Sequence, residues 1–147
     1  MRRYAFADHN CFACGGSNPI GMRLQIELGD GVARTEWTPG DDFVGWEDKV
    51  HGGLLATLLD EVMAWAPASH DSWAVTAEMN IRYRSPANPG ERLTAVGTVT
   101  DKRRRIYRVH GEVHGAVRSF LSDLDAEVTV TLDGQTERPY KPLHMRG

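Results

Sequence analysis

One carboxylate in this chain stands in surroundings that do not suit a charge. Asp60 lies within residues 54–66, an apolar run that a 100° step per residue turns into a helix with Leu54, Leu55, Leu58, Leu59, Val62, Trp65 and Ala66 on one broad face. Asp60 falls opposite that face. Its companions there are Ala56, Thr57, Met63 and Ala64, where a solvated helix would carry Lys, Arg and Glu, and no Lys or Arg occurs between Val50 and Ile81. The helix is therefore expected to be enclosed on every side, with Asp60 shielded from water. A shielded carboxylate without a cationic partner is costly, and that cost is a sign of general-base or nucleophilic work. Glu61 points about 100° away around the helix, so the two acids do not form a catalytic pair. His51-Gly52-Gly53 heads the same run. Backbone amides at a helix start have no intrahelical partner, and glycine lets a ligand approach them closely. These are the ingredients of an oxyanion hole.

Strands must position this helix. Met22 to Leu28 and Val32 to Trp37 flank Gly29-Asp30-Gly31, a hairpin signal. Beyond the helix the pattern has period two. Val75, Ala77, Met79, Ile81 and Tyr83 alternate with Thr76, Glu78, Asn80, Arg82 and Arg84. Ser85-Pro86-Ala87-Asn88-Pro89-Gly90 then breaks the run. Further strands are expected from Arg92 to about Thr100, around Tyr107 to Val113, and from Asp123 to Leu132. Such alternation predicts antiparallel strands with one packed and one wet face. One helix with a long antiparallel sheet makes an α+β domain.

The 147 residues are expected to form a single domain, with residues 1–21 as an N-terminal segment and 133–147 as an irregular tail. A formal net charge of −3 argues against a nucleic-acid binder. No stretch is apolar enough to span a bilayer. The start MRRYAFADHN lacks the apolar core of a secretory signal. With two cysteines expected as thiols, a cytoplasmic location is expected.

Three blocks together resemble the hotdog-fold thioesterase superfamily, in particular its phenylacetate-pathway-like branch. They are residues 51–61 (HGGLLATLLDE), residues 77–87 (AEMNIRYRSPA), and Cys11-Phe12-Ala13-Cys14-Gly15 with Asn18-Pro19-Ile20-Gly21-Met22. The resemblance covers about residues 11–132. It implies a long central helix wrapped by an antiparallel sheet, two protomers joined at the strand holding Thr76 to Tyr83, and hydrolysis of an acyl-CoA to free acid and CoA without a cofactor. It implies a homodimer, with a dimer of dimers as a further option. By the same resemblance Asp60 is the catalytic acid, the Gly52 N–H the oxyanion donor, and Thr76, supplied by the other protomer, a water-placing hydroxyl. His51 organises the loop. Relatives carry Asn or Gln six residues before this histidine, and here that place is Gly45. A backbone group replaces it, or the reaction is slower, or the pocket binds without hydrolysing.

Gly53, Glu61, Arg84, Ser85 and Pro86 are expected to contact substrate, with Trp46 and Phe43 shaping the acyl site. Lys102, Arg103 and Arg104, followed by Arg105, are candidates for the CoA phosphates, the alternative being a solvated hairpin tip. His9, Cys11 and Cys14 fall short of a zinc set, because a structural site wants four ligands and no second CxxC or spaced His pair follows. No metal is therefore expected. The competing readings are a non-catalytic acyl-CoA-binding module and a hotdog hydratase or dehydratase, whose catalytic His motif is absent.

Overall fold

Alternation of apolar and polar residues becomes extended chain because only that arrangement buries every second side chain. The computed structural model describes residues 9–70 and 74–115, together with the backbone of three further strands. In chain order the strands are β1 (Arg2–Tyr4), β2 (Ile26–Gly29), β3 (Val32–Trp37), β4 (Ala74–Tyr83), β5 (Leu93–Arg103), β6 (Ile106–Gly115), β7 (Leu124–Leu132) and β8 (Met145–Arg146). They form one antiparallel sheet in the order β4-β7-β6-β5-β3-β2-β1-β8. The single helix and antiparallel sheet are those of the hotdog fold.

The first hairpin is tighter than the sequence suggests. Gly29 pairs with Val32, so the turn is Asp30-Gly31 alone. Both residues take positive φ, 42° and 77°, as a two-residue hairpin turn of this hand requires. The strand ahead of it starts at Ile26 rather than Met22. Two short strands were not foreseen: β1 in the N-terminal segment, and β8, which pairs with β1 and lies inside the tail expected to be irregular.

The helix, α1 (Gly52–Trp65), starts two residues earlier than the apolar run suggests, because His51 caps it: the ring Nδ1 accepts the Gly53 N–H at 2.9 Å. Pro67, which has no N–H to donate, is followed by a 3₁₀ continuation to His70 instead of further α-helix. Leu58, Leu59, Val62 and Met63 are fully buried, each such side chain contributing roughly 1.5–3 kcal/mol relative to exposure. Met63, expected on the Asp60 side of the helix, is among them, as an enclosed helix requires. The sheet curls far enough round α1 to bury this second flank as well.

That close approach depends on a pair of glycines. Gly97 of β5 and Gly111 of β6 are cross-strand partners. A Cβ on Gly97 would lie 2.6 Å from the Val62 carbonyl oxygen and 3.0 Å from the Met63 Cα, while one on Gly111 would strike the Met63 side chain. The flat patch lets the helix backbone rest on the sheet. Among the described residues, no helix is long and apolar enough to cross a membrane.

Gly97→Ala is expected to lower stability by roughly 1–3 kcal/mol, because its clash is with rigid backbone. Gly111→Ala is expected to cost less, since Met63 can change rotamer. Denaturant unfolding of both variants checks the order; a larger loss at position 111 would contradict it.

Candidate active site between helix and edge strand

After the 3₁₀ turn the chain reverses, so β4 runs antiparallel to α1 from its C-terminal to its N-terminal end. Two side-chain bonds fix this alignment. The Thr76 hydroxyl donates to Asp60 Oδ1 at 2.5 Å, and the Tyr83 hydroxyl donates to the Gly52 carbonyl at 2.7 Å. Partial burial raises the Tyr83 phenol.

Simple alternation puts Thr76 on the polar face, away from the helix. A bulge reverses this. The pairing of β4 with β7 slips between Thr76 and Glu78, so Ala77 is the extra residue. Downstream, Met79 and Ile81 pack on the core; upstream, Ala74 packs there and Val75 is 64% exposed. The bulge therefore lets one strand present Thr76 to Asp60 and still bury its apolar residues further on. Thr76 meets Asp60 of its own chain. This corrects the expectation that the hydroxyl comes from the other protomer.

At the helix start, among the described residues nothing accepts a hydrogen bond from the Gly52 N–H, whereas the neighbouring Gly53 N–H is taken by His51. The Gly53 carbonyl accepts from Thr57. Gly45 packs against the His51 ring: a Cβ there would lie 3.2 Å from Cδ2 and 3.3 Å from Cα. Its N–H is bonded to the Lys49 carbonyl. The turn carrying Ser85 and Pro86 also reaches this end, since the Val50 N–H donates to the Ala87 carbonyl and Lys49 Nζ bonds Asn88. Arg84, Ser85 and Pro86 are thus brought to the end of α1 that carries Gly52 and Gly53.

The other expected contacts lie elsewhere. Trp46 sits on the preceding loop at 87% exposure, while Phe43 stacks edge-on with Trp37 at 5.4 Å. Lys102, Arg103 and Arg104 form the β5–β6 tip, whose register through β7 aligns it with the start of β4 and the C-terminal end of α1. Within one chain this tip is remote from Gly52. Lys102 lies over the Tyr107 ring, Arg103 pairs with Asp101 at 3.2 Å, and all three basic residues are exposed. His110 and His114 are half-exposed and both bond Glu112 at 2.9 Å, which holds that carboxyl below its usual range.

Glu61, expected to contact substrate, has its partners within the chain. It turns toward the N-terminal segment, where it accepts the Trp65 indole N–H at 2.9 Å and meets Cys11 and Cys14. Burial, helped by the charge of Cys11, pushes its carboxyl up to about 7. The Cys14 thiol donates to Cys11 and, with the Cys14 and Ala13 amides and His9, brings Cys11 down to about 5 against the opposing effect of burial. Cys14 itself is raised, first by its bond to Cys11 and then by burial. This cluster and the Tyr83 bond were missed from sequence. Tyr83 ends a strand returning toward the HGG motif, a signal that could have been used.

Residues 48–118 match the thioesterase superfamily model. A curated "putative esterase" of Archaeoglobus fulgidus is 31% identical over 70 residues, which are 48% of this chain and 46% of that protein. The match thus spans about half of that relative's length. The crystal structure of a thioesterase superfamily protein superposes with a TM-score of 0.72 at 28% identity, over 81% of this chain and 58% of the other. A hypothetical thioesterase from Streptococcus pneumoniae, solved with coenzyme A, has a TM-score of 0.70 at 20% identity, over 76% of this chain and 87% of the other. Structures of that protein also exist with alanine replacing an aspartate or, sixteen positions later, a threonine.

His51→Ala is expected to lower stability by about 1 kcal/mol through loss of the cap, while His51→Asn, a good capping residue, keeps most of it. Thermal unfolding of the two variants checks this. Equal losses would show that the ring does something other than cap.

Proposed function

With residues 48–118 belonging to the thioesterase superfamily on a hotdog fold, we propose that this protein hydrolyses an acyl-CoA thioester with Asp60 as its catalytic carboxylate. The observation that carries this is the Thr76–Asp60 hydrogen bond. It fixes one carboxylate oxygen and leaves the other for chemistry. The sixteen-residue separation of Asp60 and Thr76 equals that of the aspartate and threonine replaced in the Streptococcus pneumoniae protein. The coenzyme A bound to that protein supports a CoA ester as the substrate class.

Geometry limits how the parts cooperate. Gly52 and Asp60 are eight residues apart on one helix, about 12 Å along its axis. A reacting carbonyl must lie about 3 Å from its oxyanion donor and equally close to the attacking group. One thioester therefore cannot use both residues of the same helix. A second copy resolves this. β4 is an edge strand, ten residues long, with Val75 exposed. Such an edge invites pairing with another strand. Twofold β4–β4 pairing sets two antiparallel helices side by side, so the Gly52 amide of one protomer faces Asp60 of the other.

In the reaction the thioester oxygen takes the hydrogen bond of the Gly52 N–H. Asp60 removes a proton from water as the water oxygen adds to the carbonyl carbon; alternatively its oxygen adds first and water releases the acyl group. The C–S bond breaks, and the CoA thiolate leaves and takes up the proton. General-base assistance is worth roughly 10²–10⁴-fold.

Asp60→Asn is expected to lower turnover by about 100-fold or more without unfolding the chain. Thr76→Val is expected to lower it by about 10–100-fold, the equivalent of roughly 1.5–3 kcal/mol for a hydrogen bond to a charged group. A panel of acyl-CoAs with a thiol-detecting dye supplies the measurement, and full turnover in Asp60→Asn defeats the assignment. Light scattering is expected to give twice the mass of the chain.

A further inference from the structure

Cys11, Cys14 and Glu61 form a cluster that the hydrolytic site does not use. The two cysteines sit on a tight turn in which the Gly15 N–H donates to the Cys11 carbonyl at 2.9 Å. Gly15 is buried, and a Cβ there would strike the carbonyl oxygens of His9 and Cys11, so the turn closes this way only with glycine at that position. Bonds from the Met22 N–H to the Phe12 carbonyl and from the Leu24 N–H to the Ala13 carbonyl, both 2.8 Å, hold the turn against the rest of the segment. Amides of Ala13 and Cys14 bond the Cys11 sulfur. The His9 ring folds back over the turn, its Nδ1 accepting the Cys11 N–H at 3.1 Å. Glu61 then reaches across from α1.

We propose that Cys11, Cys14 and Glu61 bind one zinc-class divalent cation, which staples the N-terminal segment to the central helix. The two sulfurs and a carboxylate oxygen all lie within 4.8 Å of one another. A tetrahedral ion with metal–sulfur bonds of about 2.3 Å and metal–oxygen bonds of about 2.0–2.2 Å separates its ligands by about 3.5–3.8 Å. The cluster needs to contract by about 1.3 Å at most. Sequence spacing alone supplies two ligands and falls short of a site; the third comes from the helix, forty-seven residues beyond Cys14. Water completes the tetrahedron on the side where Cys11 is only half buried.

Charge gives a second reason. Three groups that become anions are gathered where the chain offers no Lys or Arg between Val50 and Ile81. The groups that bond the carboxylate, the Trp65 indole and the Cys14 thiol, are both neutral donors. Buried anions need a compensating charge, and a divalent cation on two thiolates and a carboxylate supplies it. Binding releases the Cys14 thiol proton, so it strengthens as pH rises. Soft thiolates favour zinc over magnesium or calcium.

The test uses the full chain, reduced and stripped of metal, titrated with zinc alone against a chromophoric chelator and separately with cobalt(II). One equivalent per chain is expected, with a thiolate-to-cobalt charge-transfer band and a rise in melting temperature that a chelator reverses. Cys14→Ser is expected to abolish the band and weaken binding by about tenfold or more. Glu61→Gln keeps an oxygen for the Trp65 indole, and so serves if Cys14→Ser fails to fold; it too is expected to weaken binding by about tenfold or more. Failure of the reduced chain to bind a stoichiometric ion overturns the proposal, as does binding that either folded variant leaves unchanged. Neither result bears on the hydrolytic assignment, which is read from turnover.

Discussion

Asp60 is held by one short hydrogen bond, and that bond exists because β4 is irregular. A regular strand that buried Met79 and Ile81 against α1 would point Thr76 away from it. Placing an extra residue at Ala77 changes the parity of everything before it, so hydroxyl and apolar side chains all reach the same helix. Bulges recur beside functional groups for this reason: they redirect one side chain at the expense of a single ladder step. Here the redirected side chain fixes the orientation of the only acid on α1 that meets the edge strand.

The helix is covered differently on each flank, and each cover has a separate physical basis. Glycines 97 and 111 bring the sheet against Val62 and Met63. The N-terminal segment meets the helix at Glu61, with two thiols facing the carboxylate. β4 covers the Asp60 side but is itself an unpaired edge. A helix without basic residues is stable only when shielded on all sides, and this last flank is where a second copy has room to act. The amide donor of Gly52 and the carboxylate of Asp60 are too far apart to meet on one substrate within a chain. Pairing across the edge brings them together.

Much of this was legible from residue order. Leucines 54, 55, 58 and 59 with Val62 defined the helix, whereas Asp60, expected to be shielded, is only partly buried in the single chain, as are Ala56, Thr57 and Ala64. The alternating runs located four long strands to within a few residues. What escaped detection depended on contacts distant in sequence. Parity along β4 was misread because a bulge leaves no composition signal at Ala77. Glu61 was assigned to substrate because nothing local announces a cysteine turn folded back onto it. Register sets the basic residues at 102–105 at the opposite end of the helix from the glycines of the same chain.

The account turns on Asp60 of one protomer and the Gly52 amide of another serving the same thioester. Gly52 occupies the first helical position, where proline is tolerated, so Gly52→Pro removes the N–H with the helix left in place. Mixing unfolded Gly52→Pro and Asp60→Asn chains and refolding them together creates hybrids in which one site of the two has both wild-type groups. Acyl-CoA hydrolysis should then recover to roughly a quarter of the wild-type rate, as random twofold assembly requires. A mixture no more active than the average of the two inactive variants would contradict the shared site.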